Sequence, residues 1–167
     1  DNSRKLEFHD VALEGIYTFT DAKKDTLDSA LCVEVRYGDE EEFLEVETRL
    51  LLTKQIDRWT FNYNFIFAHE WEGKGYDHQA AEYKNVFGVS YEINDSFSAG
   101  VELLHEQKLD GRLFDYESEK DDYLLYLGPV FHYSHGHLWF TLTPAYQISD
   151  VAHHAEYLTR LIVGFHF

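Results

Sequence analysis

The chain has no methionine, two prolines and one cysteine in 167 residues, and each shortage narrows what it can be. A lone Cys32 excludes an internal disulfide framework, and suits either a reducing compartment or an envelope protein that avoids thiols. Basic side chains are scarce as well: 14 Lys and Arg stand against 31 Asp and Glu, a net charge of -17. Phosphate binding needs a concentrated basic surface, so a nucleic-acid partner is not expected. No apolar run approaches the length of a transmembrane helix, and Asp1-Asn2-Ser3-Arg4-Lys5 is no signal peptide, so any export signal is expected upstream or already removed. Closed barrels cross membranes on alternating strands of weak hydropathy, which keeps a membrane location open.

Aromatic residues are abundant, at 17% of the chain, and with so little proline they favour extended strands over helices. From Trp59 to Trp71 every second residue is aromatic: Trp59, Phe61, Tyr63, Phe65, Phe67, His69 and Trp71 share one face against Thr60, Asn62, Asn64, Ile66, Ala68 and Glu70. That period of two is a strand. At a rise of roughly 3.3 Å per residue and a tilt of about 40°, its two Trp lie about 30 Å apart along the normal, the spacing of two interfacial girdles.

The pattern recurs along the chain. Leu44, Val46, Leu50 and Leu52 oppose Glu45, Glu47 and Arg49; Tyr83, Phe87, Val89 and Tyr91 oppose Glu82, Lys84 and Glu92; Val101 and Leu103 oppose Glu102 and Glu106. Further stripes are Val11 to Phe19, Leu27 to Tyr37, Tyr123 to Tyr133, Leu138 to Ile148 and Tyr157 to Phe167, giving about nine strands in a single domain over residues 1–167. Asn94-Asp95 and Ser134-His135-Gly136 read as tight hairpins, whereas Gly73 to Gln79, Lys108 to Lys120 and Ser149 to Ala155 read as long polar loops. Pro129 and Pro144 fall inside strands and imply a local bulge or bend. Complete bacterial barrels have an even strand number, so an odd count predicts that the chain is the C-terminal part of a larger barrel of about twelve strands. The alternative is that Leu6 to Thr20 is no barrel strand, leaving about eight.

The last strand, from Tyr157 through Leu161, Val163 and Phe165 to Phe167, resembles the closing strand of Gram-negative outer-membrane β-barrel proteins. In those proteins a terminal Phe after alternating apolar residues is read by the barrel-assembly machinery, which the resemblance implies as a partner. The stretch YGDEEEFLEVETRLLLTKQIDRWTFNYNFIFAHEWEG is similar to uncharacterised porin-like barrels of the same envelopes. This implies a fold and a location, and carries over no site residue.

The expected fold is therefore all-β, an antiparallel up-and-down transmembrane β-barrel in the outer membrane, with lipid as its outer partner. A soluble lipocalin-like barrel would reverse the two faces, and periodicity alone does not separate the cases. Trp59, Trp71, Tyr91, Tyr133, Tyr157, Phe165 and Phe167 are assigned to the membrane-interface girdles. The lumen face carries a wider acidic set that includes Asp10, Glu14, Asp28, Glu70, Glu106 and Glu156. Within it Glu34, Arg36, Glu45, Glu47, Arg49, Glu82, Lys84, Glu92, Glu102 and Arg160 are expected to set lumen selectivity. The function expected is a passive porin-like channel for small solutes that prefers cations. The alternatives are a non-conducting structural or surface-interaction barrel working through its outer loops, and a lipid-modifying enzyme.

The enzyme alternative would need a nucleophile beside His69 or His105, and no Ser shares their face nearby, so no catalytic residue is assigned. Histidines at His132, His135, His137, His153 and His154 follow no recognised ligand spacing, and neither metal nor cofactor is expected. Asp39-Glu40-Glu41-Glu42 reads as a solvated turn, and the stretch with Arg112, Phe114 and Tyr116 as a surface for outside contacts.

Overall fold

A computed structural model describes residues 10–20, 27–38, 43–112, 115–151 and 155–165. Phe167, Asp39 to Glu42, Phe114, His153 and His154 lie outside them. The described residues form nine strands and no helix: β1 (Asp10–Thr18), β2 (Asp28–Gly38), β3 (Phe43–Ile56), β4 (Trp59–Glu72), β5 (His78–Asn94), β6 (Phe97–Arg112), β7 (Asp115–His135), β8 (Leu138–Gln147) and β9 (Tyr157–Phe165). Each pairs antiparallel with its chain neighbours, in the order β1 to β9, and the sheet curls into a half-barrel. Asp10–Thr18 pairs with β2 along its whole length, which removes the eight-strand alternative.

Opposed residues in an antiparallel pair point to the same face, so the register can be followed from strand to strand. One row runs Tyr17↔Leu31, Leu31↔Leu50, Leu50↔Phe65, Phe65↔Asn85, Asn85↔His105 and His105↔Leu125. The row beside it runs Cys32↔Arg49, Arg49↔Ile66, Ile66↔Lys84, Lys84↔Glu106 and Glu106↔Leu124. Every apolar stripe read from the sequence joins the first face, and every charged stripe the second.

Burial tells which face is inside. Phe87, Val101 and Leu161 of the apolar face are 49%, 52% and 61% exposed, while Val86, Leu124 and Glu34 of the other are 5%, 5% and 8%. Contacts that skip strands confirm the direction of curl: Arg160 of β9 reaches Glu102 of β6, and Arg49 of β3 reaches Glu14 of β1. The polar face is concave and the apolar face convex. A soluble lipocalin-like barrel has the opposite arrangement.

One connection was not read from the sequence, and two other features differ from expectation. Asp57-Arg58 forms a tight turn between β3 and β4, with Asp57 at φ 53, a conformation that its short polar side chain tolerates. Lys108 to Lys120 is no long loop: β6 and β7 stay paired to Arg112↔Asp115, so the segment is a projecting hairpin with a register shift between Gln107 and Leu109. Pro129 and Pro144 cause no bulge either. Tyr126↔Gln147 and Phe131↔Leu142 hold one register on both sides, so the two prolines face each other where the ladder opens.

Two glycines let strands close up on the concave face. A Cβ at Gly100 would meet the Val89 carbonyl oxygen at 2.0 Å, and one at Gly128 the Pro144 carbonyl oxygen at 2.0 Å. At Gly164 the Trp139 ring fills the space that a side chain would take, at 2.2 Å.

Turns at one end also drift along the sheet. β5 runs on past Tyr91, the partner of Trp59, to Asn94, and β7 past Tyr133, the partner of Phe97, to His135. A stagger of this kind accompanies strands tilted about 35–45° to a barrel axis.

Gly128→Val is expected to destabilise the fold by about 3 kcal/mol or more, because backbone rather than a flexible side chain occupies the space. Gly15→Ala, with nothing within 4 Å of its Cβ, should stay within about 0.5 kcal/mol of the parent. Urea unfolding followed by tryptophan fluorescence measures both; equal stability of Gly128→Val would refute the close approach.

Candidate functional site

Alternation along β1, β2 and β3 turns Glu14, Glu34, Arg36, Glu45, Glu47 and Arg49 onto the concave face, where register brings them together. Arg49 is the hub. Its Nη1 donates to Glu14 Oε2 at 2.7 Å, its Nη2 to Glu34 Oε2 at 2.6 Å, and its Nε to Glu47 Oε1. The same guanidinium lies 3.8 Å from the Cys32 sulfur, which is 1% exposed beneath it. Arg36 bridges Glu34 at 2.8 Å and Glu45 at 3.5 Å. One planar fork thereby ties three neighbouring strands, a geometry that a lysine point charge does not reproduce.

Two smaller groups follow along the sheet. Lys84 meets Glu82 at 2.5 Å and Glu106 at 3.5 Å, and Arg160 donates to both oxygens of Glu102 at 2.6 Å across two intervening strands. Glu92 stands at the turn rim without an ion pair, and Glu70, opposite Glu45, likewise meets no cation among the described residues. All four cations of the expected selectivity set are therefore engaged, and the surplus is carboxylate.

Sequence reasoning placed Glu14 and Glu106 on this face but not in the selectivity set; here each completes an ion-pair group. It placed Thr60, Asn62 and Asn64 on the same face but gave the neutral part no role. Thr60, Asn62, Asn64, Ser90, Ser98 and Thr141, with Val86, Val89 and Val130, line a hollow of about 330 Å³ on the turn side, where Glu102 is the one charged lining residue among those described. The signal was present as the polar partners of the aromatic stripe on β4. Towards the loop side, Leu104 and Val151 pack on a small apolar cluster of Leu124, Tyr126 and Ala145, and the Tyr126 hydroxyl donates to the Ala155 carbonyl at 2.9 Å.

The girdle residues sort to two ends of the convex face. Trp59 packs on Tyr91 at 4.9 Å and Tyr133 on Phe140 at 5.5 Å, with Phe165 opposite Leu138, all near the turns. Trp71 and Tyr157 lie at the loop ends of their strands, Tyr157 against Tyr146 at 5.3 Å.

Among the histidines, His105 Nδ1 lies 3.3 Å from Asn85 Nδ2, and Asn85 Oδ1 accepts from the Tyr63 hydroxyl at 2.8 Å. This group holds no serine. His69 lies against the Trp71 ring at 4.1 Å, and His132 Nδ1 pairs with Thr141 Oγ1 at 2.9 Å. No set of three metal-ligating side chains converges among the described residues.

The sequence model of a family of unknown function (DUF6662) matches residues 17–157, and the chain belongs to that family. No match was found among curated proteins.

Arg49→Met leaves Glu14, Glu34 and Glu47 facing one another without their shared cation. We expect a loss of about 1–2 kcal/mol, below that of a fully buried pair because Arg49 is 28% exposed. The loss should shrink in 1 M salt, which screens the remaining repulsion. Chemical unfolding at low and high ionic strength checks it, and an unchanged midpoint would contradict a binding role for the hub.

Proposed function

We propose that this DUF6662 chain forms the C-terminal part of a Gram-negative outer-membrane β-barrel of about twelve strands that works as a passive, cation-preferring channel for small solutes. The observation that carries the reading is the inversion of faces: large apolar side chains cover the convex side, and the ionic groups line the concave side. A half-barrel with that polarity suits a lipid surround and an aqueous interior better than the reverse. In support, aromatic side chains gather near both ends of the convex face, with the band from Phe61 to Phe67 between them.

Cation preference follows from the charge balance. Arg36, Arg49, Lys84 and Arg160 are each held by carboxylates, and Glu70 and Glu92 add carboxyl groups that meet no cation among the described residues. Low-dielectric walls focus such a field along a narrow path. The reading is non-enzymatic, and places the closing strand with the barrel-assembly machinery.

A second reading, a barrel that conducts nothing and acts through its outer loops, draws on the apolar cluster around Leu124 and Tyr126, which occupies part of the interior.

Reconstitution of the full-length protein in planar bilayers separates the two. Under a KCl gradient the reversal potential should lie on the cation-selective side, and Glu70→Gln with Glu92→Gln should move it towards zero; absence of any conductance favours the second reading. Membrane exposure is tested by Phe65→Arg against Asn64→Arg, neighbours on opposite faces at the middle of β4. Arginine on a lipid face at mid-depth costs about 2–4 kcal/mol, so Phe65→Arg should be the more damaging for folding into liposomes. The opposite ranking would sink the membrane assignment.

A further inference from the structure

The concave face is divided. Its loop-side half holds the Arg36, Arg49 and Lys84 groups, and its turn-side half carries hydroxyls and amides, with Val86, Val89 and Val130 between them, around the hollow of about 330 Å³. We propose that the turn-side half is a binding chamber for neutral polyhydroxylated solutes of mono- or disaccharide size, an assignment that builds on the channel reading.

Four observations lead there. First, the lining has hydrogen-bonding capacity to spare: the side chains of Thr60, Asn64, Ser90 and Ser98 make no hydrogen bond to another described residue, although all four line the hollow. Second, other polar groups there are fixed in place. Asn62 Oδ1 accepts from the Thr53 hydroxyl at 2.9 Å, which leaves its amide N–H groups to donate inward, and Thr141 is held by His132 at 2.9 Å. Third, Glu102 is the single charged lining residue among those described, and both its oxygens are paired with Arg160. Fourth, Gly88 lines the hollow with no side chain, and its added Cβ would find only Asn62 in ordinary contact at 3.7 Å. The space is open rather than closed by backbone.

Hydroxyls and amides that both donate and accept match the hydrogen-bonding pattern of a sugar. A volume of about 330 Å³ lies at the small end of the range for small-molecule sites, roughly 300–1,000 Å³, which sets the size class. Trp139, on the same face beside the chamber residue His132 at 6.1 Å between ring centroids, adds a flat apolar surface of the kind that sugar C–H groups pack against.

The test is calorimetric titration of maltose into the detergent-solubilised full-length protein, a readout that does not depend on conduction. Maltose is expected to bind, and Gly88→Leu, which fills the chamber, to weaken binding by about tenfold or more. The double substitution Ser90→Ala with Ser98→Ala is the second variant, expected to weaken binding while adding no bulk; circular dichroism verifies that each variant keeps its sheet. Gluconate, an anionic polyol, should bind more weakly than maltose. Absence of maltose binding, equal binding of gluconate, or affinity unaltered in both folded variants would overturn the chamber. Maltose binding by a protein that proves non-conducting would retain the chamber and remove the channel.

Discussion

In a sheet of nine antiparallel strands, a slip of one residue between any two would turn every side chain beyond that point to the opposite face. No such slip occurs here between the rows of Tyr17 and Leu125, or between those of Cys32 and Leu124. The hydrophobic pattern enforces this, because each strand would meet its neighbour with charge opposite leucine or valine in the slipped register. The half-barrel's curl, the ionic interior and the aromatic outer surface all depend on that shared register. Even the opened ladder at Pro129 and Pro144 respects it: the bonds lost there are local, and the pairs on either side agree.

Given the register, the ionic groups act chiefly as ties across the concave face. Arg49 joins three strands, and the Arg160 to Glu102 contact spans from β9 to β6, so curvature and charge pairing reinforce each other. Flattening the sheet would separate Arg160 from Glu102 by three inter-strand spacings, at about 4.8 Å each. The glycines act in the same direction from the backbone side, since Gly100 and Gly128 permit approaches that any side chain would block. Because the arginines remain partly exposed, each tie contributes modestly, and the curl rests on several of them together.

Much of this was legible in the sequence, because period-two alternation over nine stripes reports strand, face and neighbour at once. The Glu34, Arg36, Glu45, Glu47 and Arg49 group could be placed on one face for that reason, and Trp59 and Trp71 at opposite ends of one strand. What escaped has a physical cause in each case. Lys108 to Lys120 is polar and looked like a loop, yet paired backbones in a projecting hairpin need no apolar side chains to hold their ladder. The Arg160 to Glu102 bond depends on curvature, which no local pattern encodes, and the neutral chamber depends on three hydroxyls or amides from β4 meeting one each from β5, β6 and β8.

The open edges set the remaining constraint. Eight reversals separate β1 from β9, so the two edge strands run in the same direction, and joining them directly would make a parallel pair in an otherwise antiparallel sheet. An antiparallel circuit through these edges takes an odd number of further strands; a barrel of about twelve, which adds three, satisfies that condition. The exposure of β1 fits the same logic. All of its residues are exposed, on both faces, including Ile16 at 61% on the side that faces the interior elsewhere, and an apolar edge that meets no further strand among the described residues is a template for pairing. Strands added there would cover Ile16 and shield the Glu14 to Arg49 contact from bulk water, so completing the wall would strengthen the charge network that lines it.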